Sequence, residues 1–106
     1  MGLLIAQMRL AQINSYRSDL EYKIQLISTT RLDLSSQIND MVSLGSDMEP
    51  DSPEAKALEK KKVRLYQAEK ALDQKLQRFQ TQLQMIEAEE QSVRQTLQSS
   101  IQRSFA

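Results

Sequence analysis

The sequence predicts an all-α protein: two long helices joined by a short Gly/Pro turn, a coiled-coil-like helical hairpin that is expected to oligomerise. Three observations lead there. Both prolines and one of the two glycines fall within residues 45–54. On each side of them runs a long segment with no helix breaker after Gly2. Both segments also space their apolar residues three and four apart, which is the heptad rule for a helix with one buried seam. A single domain, 1–106, is expected. Its first helix covers about 3–44, the turn 45–52, and the second helix about 53–105.

In the first helix the seam runs Ala6, Leu10, Ile13, Arg17, Leu20, Ile24, Ile27, Arg31, Leu34, Ile38, Met41. It is apolar except for two arginines that share one heptad position. Two arrangements suit them. Their stems can cover apolar surface while the guanidinium groups stay in water, or they can set the register by pairing with carboxylates on a facing helix. A second set of Leu4, Met8, Ala11, Tyr22 and Leu26 lies beside the seam. It makes the apolar face wider than one partner helix covers. Thr29-Thr30 and frequent serine give this segment only fair helix propensity, so it should depend on packing.

The turn carries the punctuation of two helix ends. Gly45 follows the last apolar residue, Leu44, and suits a left-handed stop. Pro50 lies within the connection. Ser52 is placed to cap the free amides of the second helix, Pro53 fits its first position, and Glu54 meets the positive end of its dipole.

The second helix is rich in Glu, Lys, Gln, Ala and Leu, all good helix formers. Its seam is Leu58, Lys62, Leu65, Glu69, Leu72, Leu76, Phe79, Leu83, Ile86, Glu90, Val93, Leu97. Towards the end the apolar residues Val93, Leu97, Ile101 and Phe105 recur every fourth position and drift off that seam. Because this helix is the longer one, its last turns are expected to overhang the hairpin and to contact another copy. A hairpin folded about residue 49 brings Arg31 close to Glu69 as an intrachain pair. It leaves Arg17 and Glu90 more than two turns apart, so a charged partner for either would come from outside this hairpin seam, as in contact with another copy; the alternative is solvent.

Composition removes most chemistry. The chain has no Cys and no His, so it lacks disulfides, thiolate ligands and the commonest general base. It has no glycine-rich phosphate loop and no nucleophile motif. Glu87, Glu89 and Glu90 are neighbours on a helix and read as a charged, solvated face. The expectation is no enzyme, no cofactor and no metal. Acidic and basic residues balance at fourteen each. The basic run Lys60-Lys61-Lys62 with Arg64 lacks interleaved aromatics and follows Glu54 and Glu59 at helical spacing. It reads as an ion-paired surface, and no nucleic acid is expected. The apolar start, Met1 to Ala6, is interrupted by Gln7 and Arg9, too early for a secretory signal or a membrane span. Ala6 stands where a myristoylation signal needs Ser or Thr.

Two helices flank Pro50-Asp51-Ser52-Pro53, a Leu65-Tyr66 pair follows, and the chain runs out through Ile101-Gln102-Arg103-Ser104-Phe105. In these features it resembles the small needle subunits of bacterial type III secretion systems. It is longer than those subunits, and the polar pair between its prolines runs in the opposite order. The resemblance implies a structural subunit that self-assembles into a secreted filament or tube. Pro50 and Pro53 would form the inter-helix turn, and Ile101 and Phe105 would be buried between subunits. The partners would be other copies of the chain and a secretion chaperone. The protein would be extracellular or at the cell surface, without a cleaved signal peptide. The alternative is a cytoplasmic coiled-coil chaperone or adaptor that lends its seam to a helix of another protein.

Overall fold

A computed structural model describes residues 2–105 of the protein; for Phe105 this covers the backbone only. Two helices account for nearly all of it: α1, Leu3–Gly45, and α2, Pro53–Phe105. There is no strand among the described residues. The architecture is a two-helix hairpin. The chain divides into two compact units, Met1–Ile24 with Arg78–Ala106, and Gln25–Gln77.

The heptad seams explain why these segments pair. Every seam position from Ala6 to Met41 in α1, and from Leu58 to Leu97 in α2, is buried or half-buried. In the first unit Ile13, Leu20 and Ile86 form the core, with Phe79, Leu83 and Val93 packed against it. Ile13 and Leu20 are essentially sealed from water. Side chains of that size contribute about 1.5–3 kcal/mol each when buried. Lys23 adds a cation over the Phe79 ring, 5.7 Å from its centre.

The second unit holds the turn. Ser52 Oγ accepts a hydrogen bond from the Ala55 amide at 3.1 Å, so Ser52 caps α2. Glu54 lies in the first turn of α2 and Arg103 in its last, both favourable to the helix dipole. Helix α1 has neither an acidic residue in its first turn nor a basic one in its last. Thr29 and Thr30 return their hydroxyls to the carbonyls of Gln25 and Leu26. Thr96 and Ser104 of α2 do the same to Ser92 and Ser100, so what sets α1 apart is the lack of charges that favour its dipole.

Gly45 corrects the sequence-based expectation. It is the last residue of α1, and no glycine has a positive φ. The helix instead closes through tightened turns, with the amides of Asp47 and Met48 bonding the carbonyls of Leu44 and Gly45. The glycine answers to a close approach: a Cβ there would lie 3.1 Å from Leu58 Cδ2. Leu58 is already in the second turn of α2, so α2 begins about one turn beyond the point where α1 stops.

That offset moves the register. Arg31 pairs with Asp73 at 3.4 Å, and Ser35 donates to Glu69 at 3.1 Å. Both pairs centre on residue 52 instead of 49. The expected Arg31–Glu69 pair is therefore replaced by Arg31–Asp73, one turn along α2. Arg31 Nε is covered and has no hydrogen-bond partner.

Candidate assembly surface

The first unit carries the protein's main polar network. Glu90 is 7% exposed, the one charged residue in the buried class among the described residues. One of its carboxylate oxygens takes Arg17 of α1 as hydrogen-bond donor and ion-pair partner. The other takes Nε and Nη2 of Arg94, at 3.1 and 3.0 Å. Arg17 is held further by Asn14 Oδ1 at 3.1 Å and by Glu21 at 3.8 Å. A carboxylate removed from water is costly unless its charge is met, and here two guanidinium groups meet it. The hydrogen bonds from Arg94 and the charge of Arg17 hold the Glu90 carboxyl below the usual carboxylate range, against desolvation acting the other way.

This pairing corrects the expectation that a charged partner for Arg17 or Glu90 would come from outside the hairpin seam. The seam position of both residues was legible. What the sequence hid was the length of chain spent in the turn. A second strap lies nearby: Arg9 Nε donates to Glu89 at 2.8 Å. Glu89 had been read as part of a solvated acidic face, and the signal that could have found it is its heptad spacing from Gln82 and Ile86.

The drifting stripe near the end of α2 is divided. Val93 packs on the core and Leu97 is half-buried, so both are partly covered within one copy. Ile101 is 40% exposed. The side chain of Phe105 lies outside the described residues. The expected overhang is thus confined to the last turns of α2. In the first unit, beside the α1 seam, Leu4, Met8, Ala11 and Tyr22 are all exposed, with Leu4 at 69% and Tyr22 at 64%; Leu26, in the second unit, is exposed too. On α2 Met85 is 68% exposed.

In the second unit Lys62 pairs with Glu59 at 3.0 Å. Among the described residues Lys56, Lys60, Lys61 and Arg64 make no ion pair, and Glu54 makes none either. The expected ion-paired face is therefore mostly unpaired. Lys56, Glu59, Lys60, Val63 and Arg64 line an open groove along one face of α2. A further concavity sits in the crotch of the turn, between Val42, Met48, Pro50 and Leu58.

Among the described residues no acidic, His or Cys cluster is placed to hold a metal ion. Among them, too, no helix is long and apolar enough to cross a membrane. No protein-family model, curated protein or solved structure matches the chain. The functional reading therefore rests on the surfaces just described.

Proposed function

We propose that the protein is a structural subunit, a helical hairpin that assembles with copies of itself into a filament or tube of the type III needle kind. One observation carries the reading. With the seam of α1 closed by α2, the neighbouring row Leu4, Met8, Ala11 and Tyr22 of the first unit stays in water. Apolar rows of this kind mark surfaces that other protein covers. Burial at about 25 cal/mol per Å² makes a modest contact sufficient when it repeats along a polymer. Ile101 adds apolar surface near the end of α2.

The test substitutes residues that no other part of the chain needs. Met8→Asp with Tyr22→Asp leaves the seam intact, because both side chains are exposed. The double variant is expected to remain helical and soluble and to lose the assemblies that the native chain forms at high concentration, seen by electron microscopy. Filaments unchanged by the double substitution would refute the reading. A native chain that stays single yet forms a one-to-one complex with a helix of another protein would favour the chaperone or adaptor alternative.

A further inference from the structure

Charge in the second unit is sorted along the chain. Residues 40–54 hold five acidic residues, Asp40, Asp47, Glu49, Asp51 and Glu54, and no basic one. Residues 55–64 hold five basic residues and one acidic, Glu59. All five acids are exposed, and their carboxylates form no ion pair among the described residues. Asp40, Asp47, Glu49 and Asp51 gather where α1 ends, at the negative pole of its dipole, while Glu54 lies in the first turn of α2; the last turn of α1 contains no basic residue. A cation is what that pole favours. Lys56 and Lys62 of α2 line the crotch of the turn with Gly45, Ser46 and Met48, yet neither forms an ion pair with these five acids, and Lys60, Lys61 and Arg64 are exposed and unpaired in the same unit.

The basic residues have a shape as well as a charge. Lys56, Lys60 and Arg64 share one face of α2 and line an open groove with Val63, itself 46% exposed. Beside the acidic turn Val42 and Leu44 are exposed too. Each region thus offers apolar side chains flanked by charge, acidic at the turn and mainly basic at the groove, where Glu59 is the one acid and is paired with Lys62.

We propose that the acidic turn of one copy docks on the Lys56–Lys60–Arg64 groove of another. The inference deepens the assembly reading and rests on it. Each copy carries both halves of the contact, so the contact repeats from copy to copy without a second protein. Complementary charge of this kind fixes partner and register more than it adds affinity, so the contact complements the apolar row of α1.

The experiment uses the full chain and two charge-reversed variants. One carries Asp47→Lys, Glu49→Lys and Asp51→Lys; the other carries Lys56→Glu, Lys60→Glu and Arg64→Glu. All six positions are exposed, and circular dichroism checks that the helices persist. Association is followed by sedimentation at about 0.05 and 0.5 M salt, where screening differs strongly. Each variant alone is expected to associate at least about tenfold more weakly than the native chain at low salt, and their equimolar mixture to recover native association. High salt is expected to weaken the native chain and the mixture alike. Variants that each associate as the native chain does would overturn the inference. So would a mixture no stronger than its components, including one whose basic groove binds an added polyanion instead. If native assembly responds to Met8→Asp with Tyr22→Asp but ignores these reversals, the inference fails alone. If the native chain never associates, the assembly reading fails and takes the inference with it.

Discussion

Arg17 of α1 and Glu90 of α2 form an ion pair inside one chain, and Arg94 reaches the same carboxylate from the next turn of α2. The Glu90 carboxyl is held below its usual range by these guanidinium groups. A group whose folded value is depressed stabilises the fold above its unfolded value, about 4.3 for glutamate, and loses that stabilisation as pH falls through the folded value. The thermal midpoint is therefore expected to drop as pH is lowered below that range. Glu90→Gln should show a shallower drop than the native chain over the same window. Parallel curves for the two proteins would contradict the role given to this pair.

The core of the first unit sets a second expectation. Leu20→Ala removes a side chain that is 1% exposed and should cost about 2–5 kcal/mol. Leu32, 72% exposed, should tolerate alanine within about 0.5 kcal/mol in dilute solution. Urea denaturation of both variants checks the contrast, and equal losses would show that the seam is misplaced.

Gly45 separates two accounts of the turn. A left-handed stop would make Gly45→Ala destabilising by about 1 kcal/mol. A helical glycine in contact with the tip of Leu58 predicts the opposite. Alanine gains up to about 1 kcal/mol of helix propensity, and the end of the half-buried Leu58 side chain yields a few tenths of an ångström. Gly45→Ala should therefore be neutral or stabilising in a denaturation curve, while Gly45→Leu, which drives bulk into Leu58, should destabilise. A clear loss on alanine substitution would restore the left-handed stop.

The cap at the start of α2 is independent of both. Ser52→Ala deletes the acceptor for the Ala55 amide and should cost about 0.5–2 kcal/mol, with Ser52→Asp retaining most of the stability. Amide hydrogen exchange at Ala55 should quicken in the alanine variant alone. Unchanged exchange there would mean the cap does not form in solution.

Most of this architecture was legible because heptad spacing is a property of neighbours in sequence. The seams from Ala6 to Met41 and from Leu58 to Leu97 were read from spacing alone, polar members included. The Ser52-Pro53 restart was legible for the same reason, since capping is local. The register was not. It depends on how far residues 46–51 carry the chain before it reverses, and no spacing rule measures that. A shift of about one turn sufficed to exchange Glu69 for Asp73 as the partner of Arg31 and to bring Arg17 to Glu90. The assembly residues divided along the same line. Val93 and Leu97, legible as a drifting stripe, are half-buried within one copy, whereas Leu4, Met8, Ala11 and Tyr22, legible as a second stripe, remain exposed.

One copy leaves Leu4, Met8 and Tyr22 exposed, and in the proposed assembly other copies bury them. Sedimentation of the native chain over a wide concentration range, with Met8→Asp/Tyr22→Asp run alongside, reads this burial. The native chain is expected to grow well beyond the single-chain mass as concentration rises, while the double variant does not. A native chain that keeps the single-chain mass at every concentration would rule the assembly out.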